Sequence, residues 1–231
     1  GNTRILLIFD EIESISYTTS PSVHWKVQND SLFFWQALRS IIQTHSEFFS
    51  FIIAGVNPKC VEISKINEYD NPIFGIFRPI YMSLFDYGDV KSMVSSIGGR
   101  LGLSFEEEVF AKLVSDYGGH PFLTRQVCSK INCDLLEKRA PRPITVTKYS
   151  YEKNAQDYRM NMTGIIEQIL GVLETYYPEE FKLLKKLALD GQRAFATEII
   201  GGEKEIQHLK GYCLIEKDDG DYFIRIKSIE D

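Results

Sequence analysis

The fold class that the sequence predicts is an α/β core with parallel strands, followed by a helical region and a C-terminal winged-helix domain. Three observations carry it. Two continuous apolar runs, Ile5-Leu6-Leu7-Ile8-Phe9 and Phe48-Phe49-Ser50-Phe51-Ile52-Ile53-Ala54-Gly55, stand on either side of an amphipathic stretch. From Asp86 the pattern changes to helices punctuated by glycine. Near the end of the chain, Tyr212 to Glu216 and Tyr222 to Ile226 flank Lys217-Asp218-Asp219-Gly220, the signature of a β-hairpin.

Each apolar run has the form of a strand buried on both faces, and each ends in polar residues, Asp10-Glu11 and Asn57-Pro58. Between them Asn29 or Asp30 caps a helix that sets Phe34, Leu38, Ile41 and Ile42 on one face. Strand, crossover helix and strand make a parallel βαβ unit. A third short strand is expected over Ile80 to Leu84, which closes a first domain over residues 1–85. Helices follow over 86–138. Val90, Met93, Val94 and Ile97 form one stripe, and Phe105, Val109, Leu113 and Tyr117 form a second that Gly118-Gly119 ends. Pro121 opens a third helix carrying Leu123, Val127, Ile131 and Leu135. The charged stretch 139–163, with Pro141 and Pro143, reads as a linker. Over 164–231 three helical segments and the hairpin give the outline of a winged helix.

Composition narrows the function classes. At 231 residues with 44% hydrophobic and 25% charged residues the chain is an ordinary globular one. Its net charge of −6 argues against a surface devoted to nucleic-acid phosphates or anionic lipid. Four cysteines without CxxC spacing and four scattered histidines suggest neither a zinc site nor a disulfide framework, which fits a cytoplasmic protein. The longest apolar stretch is too short to span a bilayer.

An apolar strand ending in Asp10-Glu11 has the form of a Walker B element, in which the first carboxylate holds Mg2+ and the second polarises the water that attacks a γ-phosphate. Acidic residues also end buried strands for solubility alone. Asn57 at the end of the second strand is placed to orient that water, and Asn-Pro is equally a turn opener. Gly118-Gly119-His120-Pro121 either presents backbone N–H groups to a ligand or is a plain joint between helices.

These segments resemble, in order, the ATPase core of the STAND class, relatives of AAA+ proteins, and in particular its bacterial AAA-like domains. The resemblance rests on Ile5 to Glu13, Phe51 to Pro58, and Gly118-Gly119-His120-Pro121-Phe122-Leu123-Thr124-Arg125-Gln126, and covers about residues 4–136. It implies that Asp10 holds the metal and that Glu11 and Asn57 are catalytic. His120 and Pro121 would then close over the nucleotide, with Arg125 as an alternative sensor. Arg78 would supply positive charge to the γ-phosphate as an arginine finger, against the plain reading of a solvated arginine before a strand. The cofactors implied are Mg2+ and ATP or ADP. The largest departure from the family is an absence: the chain contains no GxxxxGK[ST]. The expectation is therefore a partial P-loop core, with the first strand and the P-loop in a preceding segment.

The same resemblance implies a switch in signalling or defence that oligomerises on binding ATP and drives an effector domain elsewhere in the protein. From Ile165 onward 14 acidic residues face 9 basic ones, and Glu203, Glu205, Asp218 and Asp219 occupy the presumed recognition helix and wing tip. DNA binding is thus disfavoured and contact with protein favoured. A nucleotide-independent adaptor with a relic ATPase core is the alternative reading.

Overall fold

The computed structural model describes residues 3–27, 30–199 and 201–229, with the side chains of Val27 and Ser228 excepted. The chain divides into two compact units, residues 1–80 and 81–231, each with its own apolar core.

In the first unit β1 (Ile5–Phe9) and β2 (Phe49–Ile53) run parallel, in a register that pairs Ile5 with Phe49 and Phe9 with Ile53. The crossover between them contains a 3-10 turn (Ile12–Ile15), α1 (Val23–Val27) and α2 (Asp30–Thr44). The parallel βαβ unit is thus present. Helix α2 begins at Asp30; Asn29, the other candidate cap, lies outside the described residues. Trp35 and Leu38 of α2 pack with Ile12, Cys60, Val61 and Ile73, and with Phe9 and Phe51 from the covered face of the sheet. Of the aromatic run 33–35, Trp35 is fully buried and Phe33 is exposed. Beyond β2 come α3 (Lys59–Glu62) and a small antiparallel pair, β3 (Lys65–Ile66) and β4 (Tyr69–Asp70).

Two expectations fail here. The strands are covered on one face only: Leu6, Ile8 and Ile52 are 53%, 65% and 49% exposed. The physical reason is that one crossover helix can cover a single face of a two-stranded sheet, and continuous apolar runs do not reveal which face lacks a partner. The third strand does not form. Residues 77–86 have no regular structure, and Arg78, Pro79 and Ile80 are exposed. Pro79 cannot donate to a ladder, and the Phe85 N–H donates to the Gly119 carbonyl at 3.0 Å.

The second unit is mostly helical. Its elements are α4 (Tyr87–Arg100), β5 (Leu103–Phe105), α5 (Glu107–Tyr117), α6 (Pro121–Glu137), β6 (Ile144–Val146), α7 (Lys148–Tyr176) and α8 (Pro178–Glu198). A 3-10 turn (Gly202–Ile206), α9 (Gln207–Gly211), β7 (Ile215–Asp218), β8 (Asp221–Ile224) and a last 3-10 turn (Lys227–Ile229) complete it. One continuous core runs through all of it, from Val90 to Ile226. The hairpin β7–β8 turns on Asp219 and Gly220, both at positive φ, as its sequence demands.

The segment expected as a linker, 139–163, is built into this core. Ile144 to Val146 pair in parallel with Leu103 to Phe105, and Thr147 and Ser150 form a reciprocal capping box that starts α7. Tyr151, Tyr158 and Met162 of α7 are buried. Their sparse stripe is hidden in sequence by the charges on the opposite face. Helix α8 is interrupted at Gly191, whose φ of 79° breaks the helical path, so Phe195 belongs to a second short arm.

Candidate functional site

Strand β1 delivers Asp10 and Glu11 to its C-terminal end, where parallel strands open toward solvent. Both residues are exposed. Asp10 Oδ1 accepts a hydrogen bond from the Glu11 N–H at 2.9 Å, and Glu11 adopts φ 52° and ψ 48°, in the left-handed region. For a glutamate this is a strained backbone held by its surroundings. The surroundings are evident: the Ser14 N–H donates to the Glu11 carbonyl at 2.8 Å, and the Ile12 N–H to the Ala54 carbonyl at 3.0 Å.

The second bond joins the two strand ends. The Ala54 N–H donates back to the Phe9 carbonyl at 2.8 Å, so the loop carrying Asn57 leaves β2 beside the turn carrying Glu11. Asn57 is 3% exposed. Its Oδ1 accepts the Lys59 N–H at 3.0 Å, which makes the Asn-Pro pair a turn that opens α3. Its side-chain carbonyl oxygen thus serves the turn.

Sequence reasoning passed over Glu13. Its Oε1 accepts the Val56 N–H at 3.3 Å, and its Oε2 is buried without a hydrogen-bond partner. The carboxylate lies over Gly55, where an added Cβ would come within 2.2 Å of Oε2. Glu13 thus ties the turn after β1 to the end of β2. The available signal was a third acidic residue in the run Asp10-Glu11-Ile12-Glu13, with a glycine at the end of the partner strand.

Arg78 belongs to the same unit and is exposed, in the segment without regular structure. The remaining candidates lie in the second unit. His120 is the N-cap of α6, its Nδ1 accepting the Leu123 N–H at 3.4 Å, and Pro121 takes the first helical turn. Burial lowers the pKa of His120, which keeps the ring neutral and able to accept. Arg125 points from the exposed side of α6.

The glycines before His120 have packing reasons of their own. Gly118 and Gly119 take φ of 63° and 77°, and a Cβ on Gly119 would meet the Phe85 carbonyl oxygen at 2.0 Å. The Arg225 Nε–H donates to the Gly118 carbonyl at 3.1 Å.

No family model matches the chain, and no curated protein matches it in sequence. Solved structures do. A Walker-type ATPase of Pyrococcus abyssi superposes with a TM-score of 0.60 at 15% identity, covering 98% of this chain and 62% of its own. The Holliday junction branch migration motor RuvB of Thermotoga maritima gives a TM-score of 0.41 at 12% identity, covering 95% of this chain and 66% of its own. The DNA clamp loader delta protein of Bacillus subtilis gives 0.32 at 13% identity, covering 98% and 64%. The last two likenesses are too loose to carry an argument. The first is a likeness of fold: the chain has a P-loop ATPase-like fold with parallel strands and a helical majority, and it spans about 62% of the Pyrococcus protein's length. No helix among the described residues is long and apolar enough to cross a membrane.

Proposed function

We propose that this chain is the C-terminal portion of a STAND-type ATPase, an ATP-dependent conformational switch in signalling or defence, whose P-loop lies in a segment outside this sequence. The observation that carries the reading is Glu11, kept in the left-handed region directly after a parallel strand, with Asp10 turned onto its amide. Strain of this kind persists where the fold over-determines a position and clusters at functional sites. The open apolar face of β1–β2 supports the same reading, because a P-loop core has further layers to cover it.

The residues fit a divalent cation held jointly with a nucleotide. Asp10 spends Oδ1 on the Glu11 amide and keeps its exposed side toward solvent. Among the described residues no group of three or more His, Cys, Asp or Glu stands together as a metal cage. That donor set suits Mg2+, which takes one or two carboxylates and completes its shell with water and phosphate oxygens. Bound with ATP, Mg2+ neutralises charge on the β- and γ-phosphates. In this reading Asp10 binds the ion, Glu11 accepts a proton from the attacking water, and Asn57 orients that water through its side-chain amide. Arg78 offers positive charge to the γ-phosphate. His120, Pro121 and Arg125, in the second unit, are the residues to which the family resemblance gives the role of sensing the nucleotide.

The C-terminal helices and hairpin serve, in the same proposal, as a winged helix that holds the off state by contact with protein. Acidic residues at its exposed tip, Asp218 and Asp219, have the wrong sign for a phosphate backbone. ATP-driven oligomerisation and a linked effector domain complete the proposal.

The experiment is steady-state ATP hydrolysis by the complete protein. Asp10→Ala and Glu11→Gln are each expected to lower turnover at least tenfold, with nucleotide binding retained in Glu11→Gln. Unchanged turnover in both variants sinks the catalytic assignment. A second reading, the nucleotide-independent adaptor with a relic ATPase core, makes the opposite prediction. Failure of the complete protein to bind Mg-ATP would establish it.

A further inference from the structure

Besides Glu13 Oε2, three buried side-chain polar atoms among the described residues of the first unit have no hydrogen-bond partner: Thr18 Oγ1, Ser31 Oγ and Trp35 Nε1. All three residues line one cavity, between the loop after β1, helix α2, and the segment that carries Cys60 and Asn71. Ser31 and Trp35 are 0% and 2% exposed, so bulk solvent does not satisfy them. Buried hydroxyl and indole groups are rarely left unpaired in folded proteins, and one cavity lined by three of them is not a chance scatter.

The chemistry of the walls selects the occupant. No lysine, arginine, aspartate, glutamate or histidine lines the cavity, so an ion finds no counter-charge there. Burial pushes the Cys60 thiol up, which keeps it neutral. The other polar neighbours are already engaged. Asn71 Nδ2 donates to the Cys60 and Ile63 carbonyls, both at 2.8 Å, and its Oδ1 accepts the Ile73 N–H at 3.2 Å. Ser16 Oγ donates to the Ile12 carbonyl at 2.7 Å. What remains is one obligatory donor, the indole N–H, and two hydroxyls that donate or accept. The cavity measures about 10 Å³, close to the room that one water molecule needs.

We infer that this cavity is a binding site for one internal water, which accepts from Trp35 Nε1 and is shared by the hydroxyls of Ser31 and Thr18. Such a water has the two to four polar partners typical of integral ones. It joins the loop that follows Asp10 and Glu11 to the first turns of α2, a connection that these three side-chain atoms do not make directly. The inference is independent of the nucleotide reading.

A high-resolution crystal structure of the full chain tests it first. A single density peak within hydrogen-bond distance of Trp35 Nε1 and Ser31 Oγ is expected. A cavity without a peak, a larger molecule in it, or these atoms bonded directly to protein groups would overturn it. Magnetic relaxation dispersion of water, also on the full chain, gives a second readout. The double variant Thr18→Val, Ser31→Ala is expected to hold one long-lived water fewer than the unaltered protein. An unchanged number in a double variant that keeps its circular dichroism overturns the inference; if that variant does not fold, the crystal structure decides.

Discussion

Glu180 shows how much one buried carboxylate organises in this molecule. It is 9% exposed, and its Oε2 accepts the N–H groups of both His208 and Leu209, at 2.9 and 3.0 Å. Its Oε1 pairs with His208 Nδ1, whose ring stacks on Tyr177. Those two N–H groups begin α9, so the carboxylate caps the helix as well as meeting the imidazole. Truncation to alanine leaves two amides and a ring nitrogen without their partner in a nearly dry place. Glu180→Ala is therefore expected to destabilise the second unit by about 3 kcal/mol, read from denaturant unfolding followed by circular dichroism; a loss within the noise of a surface substitution would refute this role. Nothing in the sequence marks Glu180. It sits beside Glu179 in the first turn of a helix, where exposed acids are routine, and only the approach of α9 distinguishes the two.

At the scale of elements, the joint between α5 and α6 carries a titratable cap. His120 caps α6 through a ring nitrogen that must be unprotonated to accept, and burial depresses its pKa below the ordinary imidazole value of 6.5. A base whose folded pKa lies below its unfolded one contributes stability that is complete above the unfolded pKa. That stability is lost as pH falls through the folded pKa. A protonated ring would also place positive charge at the positive end of the helix dipole. The second unit is thus expected to lose stability below about pH 6.5, and His120→Asn, which can cap without titrating, is expected to flatten that loss. Unfolding curves at pH 7.5 and 5.5 for both proteins check this, and equal pH dependence in the two would remove His120 as its cause. The Pro121 and Gly118-Gly119 pattern made this joint legible in sequence, whereas the hydrogen bonds that Phe85 and Arg225 give to the two glycine carbonyls come from distant parts of the chain.

At the scale of the whole molecule, the two units differ in the cores that hold them. The first relies on a small cluster around Ile12, Trp35 and Ile73 and leaves an apolar sheet face in water, while the second has a continuous core from α4 to the hairpin. Stability follows buried apolar area, so the first unit is expected to unfold at the lower denaturant concentration. Both tryptophans, Trp25 and Trp35, lie in the first unit, and most of the helix lies in the second. Tryptophan fluorescence is therefore expected to change at a lower urea concentration than far-ultraviolet circular dichroism. Coincident transitions would show one cooperative unit instead.

The sequence by itself determined the parallel βαβ unit, the helix joint at Gly118-Gly119-His120-Pro121 and the hairpin on Asp219-Gly220. Each is written in local periods and turn residues that act over a few positions. It also placed Asp10 and Glu11 at a strand end, because a continuous apolar run followed by two acids has few other readings. Tertiary structure decided the rest, for a physical reason common to every case: pairing and burial depend on what arrives from elsewhere. Ile80 to Leu84 has strand character and forms no strand, Ile144 to Val146 lies in a stretch that reads as a linker and pairs with Leu103 to Phe105, and the charged stretch from Lys148 is helical because Tyr151 and Tyr158 are buried. Glu11's strained backbone and Glu13's hold on the end of β2 belong to the same class, being set by contacts across the two strand ends that no local pattern encodes.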